Sequence, residues 1–183
     1  MKFSLCLVVF LVLFLFESSN GSNNLILQSC KEASKSDQNL SYDFCVSSLN
    51  DASNKTKLPS NLEDLVGMSI QLTKSNGTNM LPIIKELLKN LTSDDQYVKA
   101  CLQDCFDLYK DSLSSLEDAV VAFKSKDLYS ANINLSASLD DSITCEDQFK
   151  DKTGKTSPLT WENHVYFQLN VMCLAFVQML NQH

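Results

Sequence analysis

Apolar residues recur three or four positions apart along most of the chain, and no long segment alternates apolar and polar residues as a half-buried strand would. The spacing predicts long amphipathic helices. Because no such helix can bury its stripe alone, we expect an all-α protein, a four-helix up-and-down bundle with short loops. The predicted stripes are Leu62, Leu65, Met68, Leu72, Ile83, Leu87 and Leu91; Val98, Leu102, Cys105, Tyr109, Leu113, Leu116, Val120 and Phe123; Leu128, Ala131, Leu135, Leu139 and Cys145; and Val165, Leu169, Met172, Phe176 and Leu180.

Capping residues and helix breakers set the predicted helix ends. Ser60 followed by Glu63 has the spacing of a capping box and should open the first long helix. The polar segment 75–77 and Pro82 should interrupt or kink that helix. The other predicted boundaries are a capping box at 93–96, a helix end at 153–155 and a helix start at Pro158 and Thr160.

Two shorter helices are predicted ahead of the bundle, over residues 24–33 and 42–49. The polar turn 34–39 joins them into a hairpin. Cys30 and Cys45 lie one on each helix, where a bond between them would close the hairpin. The N-terminal helical hairpin is therefore an addition to the four-helix bundle.

The first residues have the pattern of a signal peptide. Lys2 precedes an apolar run over residues 5–16 that is too short to span a bilayer comfortably. Ser19 and Gly21 supply the small residues that a signal peptidase needs, so we expect cleavage after Gly21. Residues 1–21 are thus predicted to be the signal peptide and 22–183 the mature domain, which is secreted, extracellular and not held in a membrane.

Charge and composition narrow the class of partner. The formal net charge is −7, and all 15 basic residues are lysine. Without arginine the chain lacks the planar fork that reads guanine or grips a phosphate through two bonds, so nucleic acid is not an expected partner. An acidic surface would steer toward a basic protein, although the charge could equally serve only to keep a secreted protein in solution.

Cysteine usage agrees with export. Loss of Cys6 with the signal peptide leaves an even set in the mature chain, which an oxidising compartment would pair. Cys101 and Cys105 lie one helical turn apart, too strained for a mutual bridge in a regular helix, so at most one of them pairs with Cys145. The other is either a buried thiol or the partner of Cys173.

Catalytic and metal-binding constellations are not found in the sequence. The only histidines, His164 and His183, lie in no metalloprotease motif and complete no zinc site with the cysteines. No nucleophile elbow and no glycine-rich phosphate loop occurs either. We therefore expect no enzyme, no metal and no cofactor.

Five sequons for N-glycosylation follow the signal peptide, at Asn39, Asn54, Asn76, Asn90 and Asn134. The surroundings of Asn54, Asn76 and Asn90 are polar and typical of turns, which favours those three as sugar carriers.

Several segments together resemble one plant protein family. They are Cys30 and Cys45 with the following Val-Ser-Ser-Leu, the segment Asp-Cys-Phe-Asp-Leu-Tyr over 104–109, and the segment 135–139 running into Thr-Cys-Glu-Asp-Gln-Phe over 144–149. These residues resemble the plant invertase and pectin methylesterase inhibitor family over nearly all of the mature chain. The run 122–132 followed by 140–142 resembles in particular the invertase inhibitors of plane-tree pollen, a subgroup that includes allergens.

The resemblance implies a four-helix bundle with an N-terminal hairpin and two bridges, Cys30 to Cys45 and Cys105 to Cys145. Cys101 and Cys173 depart from that four-cysteine pattern. Members act by forming a stoichiometric complex over the substrate cleft of their target, so no inhibitor residue performs chemistry. Thr144 matches a family threonine on the side that faces the esterase.

Five acidic residues on two predicted helices are candidate contacts for a basic target. If the bridge between Cys105 and Cys145 holds those helices side by side, the acids share one surface. The candidates are Asp104, Asp107, Asp111, Asp140 and Asp141.

The identity of the target depends on a short turn. Related inhibitors of cell-wall invertase carry Pro-Lys-Phe between the two central helices, where this chain has Leu128-Tyr129-Ser130. The difference favours pectin methylesterase over acid invertase as the partner of a monomeric inhibitor. The alternative is a secreted binding module, similar to pollen allergens, that keeps the bundle but has lost inhibition.

The disulfide pattern is directly testable. Peptide mapping of the unreduced mature protein should recover Cys30 linked to Cys45 and Cys105 linked to Cys145. A peptide in which Cys101 is linked to Cys145 would contradict the pairing that the family resemblance implies.

Overall fold

The computed structural model describes residues 23–91, 96–151 and 156–182. Within these ranges the chain is all-α, as the apolar spacing predicts, and none of the helices is long and apolar enough to cross a membrane. The elements are α1 over residues 23–36, α2 Tyr42–Ser53, α3 Leu62–Asn90, α4 Gln96–Lys124, α5 Leu128–Asp147, a 3₁₀ turn Gln148–Asp151 and α6 Thr160–Asn181. The signal peptide predicted at 1–21 and the helix end predicted at 153–155 lie outside the described residues.

Helices α3 to α6 form the predicted up-and-down bundle. Each packs on its neighbour in the sequence, and α6 returns to pack on α3. The α1–α2 hairpin lies on the side formed by α3 and α6, since α2 contacts both helices. The Ser41 N–H donates to Gln168 Oε1 at 2.8 Å, and Gln168 Nε2 donates to the Asn39 carbonyl. The hairpin therefore covers the side of α3 and α6, whereas outward residues of α4 and α5 such as Asp111 and Asp140 are exposed in the described structure.

The core contains most of the predicted stripes and a wider part of α6. Ile83 of the first stripe is an exception, since it is 37% exposed and Ile84 is buried instead. Leu65, Leu102, Leu116, Leu135 and Phe176 are fully buried, which confirms the helical spacing. Helix α6 is buried on nearly all sides because α3, α5 and the hairpin all pack against it. Its buried set also includes polar residues that no apolar pattern could predict, namely Asn163, Gln168 and Asn170.

Three buried hydroxyl groups join the central helices. Ser112 Oγ on α4 lies 2.6 Å from the Tyr166 hydroxyl on α6 and 2.8 Å from Ser138 Oγ on α5. Ser138 Oγ is also 3.0 Å from the Tyr166 hydroxyl. A buried hydroxyl without a partner would destabilise the fold, whereas this closed set of three satisfies its members. The set specifies which residues of α4, α5 and α6 face one another.

The predicted interruption of the first long helix is wrong. Helix α3 runs without a break from Leu62 to Asn90, through the polar segment 75–77 and through Pro82. Met80 and Ile84 are buried on either side of Pro82, and this packing offsets the backbone hydrogen bond that the proline removes. Gly77 is also there for packing, because a Cβ at this position would lie 2.9 Å from the Tyr166 ring.

Several other predicted boundaries differ from the structure. Asn61, not Ser60, caps α3: its Oδ1 accepts from the Asp64 N–H at 2.8 Å, while Ser60 donates to the Asp64 carboxylate. Both hairpin helices are longer than predicted. The α-helical part of α5 ends at Asp147 and continues as a 3₁₀ turn. The capping box predicted at 93–96 lies mostly outside the described residues.

Substitution of Gly77 tests the packing of α3 against Tyr166. A Gly77→Ala variant should lower the free energy of unfolding by about 1–3 kcal/mol, because the added methyl group meets a rigid buried ring. Chemical denaturation measures the change. Gly67→Ala is the matched control, since its Cβ would meet only Phe123 Cε1 at 3.9 Å and should stabilise the helix by up to about 1 kcal/mol. Equal effects of the two variants would contradict the packing argument.

Candidate protein-binding face

Two disulfide bonds are present. Cys30 on α1 is bonded to Cys45 on α2, and Cys105 on α4 is bonded to Cys145 on α5. The second bond and the Ser112–Ser138 contact, seven residues further along α4, hold the two helices in one antiparallel register. The position of every exposed residue on α4 relative to α5 is therefore fixed.

That register places the candidate acids on one open surface, here called the acidic face. Asp104, Asp107 and Asp111 are exposed on α4, and Asp140 is exposed on α5. Asp141 is half-buried between the two helices. The structure brings Asp111 and Asp140 close enough to Asp141 to repel its ionised carboxylate, whereas Asp107 is paired with Lys110 at 3.2 Å.

Asp118 belongs to the acidic face, and the sequence reasoning missed it. It is exposed on α4 and lies seven residues beyond Asp111, which itself lies seven residues beyond Asp104. Seven residues are close to two full turns, so the three carboxylates form a single line along the helix. The seven-residue spacing of like charges along the predicted helix was the signal that could have identified Asp118.

Asp141 carries an electrostatic cost in the folded protein. Burial raises its pKa to about 6, and the neighbouring carboxylates of Asp111 and Asp140 add to that effect. Both causes act against the ionised form. The raised pKa agrees with a surface on which negative charges have been brought together.

Thr144 lies one turn beyond Asp140 on α5, beside the bridged Cys145. Its side chain is exposed, and its carbonyl oxygen accepts from the Gln148 backbone N–H at the helix end. Tyr129 is 78% exposed and Val121 66% exposed at the opposite end of the same helix pair. These large exposed apolar side chains were not among the predicted contacts.

The other two cysteines of the described residues are buried thiols. Cys101 and Cys173 have no disulfide partner, and burial raises the pKa of both, that of Cys173 to about 11. Cys173 Sγ lies 3.2 Å from Thr73 Oγ1. Neither thiol is therefore placed to act as a nucleophile. In the described part of the chain no group of three His, Cys, Asp or Glu residues has the geometry of a metal site.

The structure separates the five sequons by exposure. Asn39, Asn54 and Asn90 are exposed near helix ends, and Asn134 is half-buried on α5. Asn76 does not lie in a turn, contrary to the sequence interpretation. It lies inside α3, half-buried, with its Oδ1 buried and lacking a partner among the described groups. A folded chain offers this side chain poorly to a bulky sugar.

The chain is similar to known plant proteins over almost its whole length. The model of the family described as plant invertase/pectin methylesterase inhibitor matches residues 24–176. The chain belongs to this family. Two curated relatives are similar over almost the whole chain: a "Putative invertase inhibitor" of Platanus acerifolia, 40% identical over 98% of both chains, and "Pectinesterase inhibitor 12" of Arabidopsis thaliana, 41% identical over 98% of this chain and 100% of the relative.

Solved structures agree on the fold. A pectin methylesterase inhibitor from Arabidopsis thaliana superposes with a TM-score of 0.59 at 23% identity, covering 82% of this chain and 95% of the other. A mutant form of a pectin methylesterase inhibitor from Arabidopsis gives a TM-score of 0.64, covering 75% and 89% of the two chains. At this identity the likeness supports the inhibitor fold and nothing finer.

The pH dependence of stability tests the environment of Asp141. Its folded pKa of about 6 exceeds the ordinary 3.8, so the cost is absent below about pH 4, grows as the pH rises to 6 and is constant above that. Asp141→Asn should therefore stabilise the protein at pH 7 and change little at pH 3.5. Because the group is half-exposed, we expect no more than about 1 kcal/mol.

Thermal or chemical denaturation at both pH values measures this difference. Asp51→Asn on α2 is the control, and it should stay within about 0.5 kcal/mol at either pH because Asp51 is exposed. A gain for Asp141→Asn that is the same at pH 3.5 and pH 7 would contradict an electrostatic cause.

Proposed function

We propose that this chain is a secreted inhibitor that forms a one-to-one complex with a plant pectin methylesterase and covers its substrate cleft. Membership of the inhibitor family carries the proposal, because the family and its curated relatives are inhibitors rather than enzymes. In such a complex the inhibitor contributes a rigid surface and performs no chemistry. The mature protein, residues 22–183, acts as a monomer in the cell wall space after the signal peptide 1–21 has been removed.

The open side of the bundle supports the acidic face as the contact surface. The α1–α2 hairpin occupies the side of α3 and α6, so the outer side of α4 and α5 is free for a partner. That side carries a line of carboxylates on α4 and two more on α5, in a chain with a net charge of −7. Such a surface attracts a basic partner and accelerates its association. Thr144 lies at its edge, where the family threonine faces the esterase.

The choice of target depends on the turn between α4 and α5. Identity does not decide it, since a relative named as an invertase inhibitor and one named as a pectinesterase inhibitor are almost equally similar. Leu128-Tyr129-Ser130, which replace the Pro-Lys-Phe of invertase inhibitors, form the first turn of α5 directly after this connection and not the connection itself. The difference favours pectin methylesterase. Acid invertase is the second candidate, supported by the Platanus relatives. A non-inhibitory binding module is the remaining alternative.

Titration of both enzymes with the purified mature protein tests the proposal. With enzyme well above the dissociation constant, pectin methylesterase activity should fall linearly and reach its minimum at one inhibitor per enzyme. Acid invertase activity should be unchanged. Inhibition of invertase alone would reverse the target, and inhibition of neither enzyme would support the non-inhibitory module.

Charge removal tests the contact surface. A triple variant, Asp104→Asn, Asp111→Asn and Asp118→Asn, should slow association with the esterase on the order of tenfold at low salt, because electrostatic steering acts mainly on the association rate. Surface plasmon resonance at increasing salt measures it. The rate for the unaltered protein should fall as salt rises, since the screening length is only about 8 Å at physiological ionic strength.

A charge-matched control separates the effect of the acidic face on association from the effect of the net charge. The control variant carries Glu32→Gln, Asp43→Asn and Asp51→Asn. It removes the same charge from exposed positions of the α1–α2 hairpin, outside the acidic face. Its association rate should stay close to that of the unaltered protein. If both triple variants slow association equally, the net charge alone sets the association rate. If neither variant slows it, the carboxylates of the acidic face are only solvated and do not steer the target.

A further inference from the structure

A groove of about 400 Å³ opens where the α2–α3 loop passes over α3, away from the acidic face. Its lining includes the apolar residues Ala52, Leu58, Pro59, Met68 and Leu72. The volume lies within the range of sites that hold small organic molecules. Leu58 is 36% exposed at the edge of the groove, so an apolar ligand would remove it from water.

Two lysines line the same groove. Neither Lys55 Nζ nor Lys57 Nζ has a carboxylate oxygen within 4.0 Å in the described part of the chain, where four other lysines form ion pairs. Asp64 is the acidic residue of the lining. Its pKa is lowered, first by hydrogen bonds from Ser60 and then by Lys57, so it offsets part of the Lys57 charge.

Hydrogen bonds at both ends of the loop preform the groove. The N–H groups of Lys55 and Thr56 both donate to the Ala52 carbonyl at 3.0 Å, and so does Thr56 Oγ1. At the other end Ser60 N–H donates to Asp64 Oδ2 at 2.9 Å. A ligand would not have to order the loop on binding, which lowers the cost of association.

The groove thus combines an apolar lining with two lysines in a chain of net charge −7. We propose that this groove binds a single-chain carboxylate, with the hydrocarbon on Met68, Leu72 and Leu58 and the carboxylate between Lys55 and Lys57. Charge complementarity identifies the occupant, because a neutral or cationic chain would leave the lysines without a partner. The site is separate from the acidic face, so this inference does not depend on the proposed target enzyme.

Calorimetric titration of the mature, disulfide-bonded protein tests the proposal with four probes: octanoate, decanoate, decanol and decyltrimethylammonium. Decanoate should bind most tightly. Because each buried methylene strengthens binding about fourfold, it should bind up to about fifteenfold more tightly than octanoate. The cation should not bind measurably at this site. Equal affinity for decanol and decanoate, or no binding of decanoate, would overturn the proposal.

Paired variants locate the binding. Lys55→Gln with Lys57→Gln should weaken decanoate binding about two- to thirtyfold, the range for two exposed ion pairs, and should leave decanol unaffected. The control, Lys31→Gln with Lys35→Gln, removes the same charge from α1 and should leave decanoate affinity unchanged. Leu58→Asn should weaken the binding of both decanoate and decanol. Equal loss in the two lysine variants would overturn the site, because it would show a response to net charge alone.

Discussion

The fixed register of α4 against α5 is the constraint on which the rest of the structure depends. One covalent bond, Cys105 to Cys145, and one closed set of buried hydroxyls, Ser112, Ser138 and Tyr166, act along the same pair of helices. The bond closes a loop of 40 residues and should contribute on the order of 3–4 kcal/mol in the chain-entropy account. The hydroxyls add specificity, because any slip in register would leave them buried and unpaired.

A fixed register explains how the chain tolerates the acidic face. Burial raises the pKa of Asp141, and the carboxylates of Asp111 and Asp140 raise it further by repulsion, so ionised Asp141 carries an electrostatic cost. The bridge and the core offset the repulsion. A surface that is maintained against a local electrostatic cost is typical of functional sites, where stability is often lower than it could be. The hairpin contributes by covering the side of α3 and α6, so that the face on α4 and α5 is the open one.

Much of the fold follows from the sequence because a helix with one buried face needs apolar residues every three or four positions. The stripes around Leu65, Leu102 and Leu135 are buried as their spacing predicts. The prediction failed where a residue serves a distant contact. Gly77 lies in a polar segment that is typical of a helix break, but it is inside α3 because the Tyr166 ring approaches that position.

Other features carry no periodic signal. Ser60 and Asn61 are both good capping residues, and only the backbone geometry decides between them. The cysteine pairing needed the family resemblance, because spacing allowed several partners for Cys145. Asp118 was overlooked because its line with Asp104 and Asp111 acquires meaning only on a known helix. The target enzyme is least predictable, since it depends on exposed side chains such as Tyr129 that the fold does not constrain.

Carboxylate footprinting of the complex tests the central claim most directly. Carbodiimide labelling of the free inhibitor and of its one-to-one complex with pectin methylesterase, followed by mass spectrometry, measures the protection of each acid. The account predicts that Asp104, Asp111, Asp118 and Asp140 become protected while Glu32 and Asp51 on the hairpin stay reactive. Protection of the hairpin with full labelling of the α4 carboxylates would contradict it.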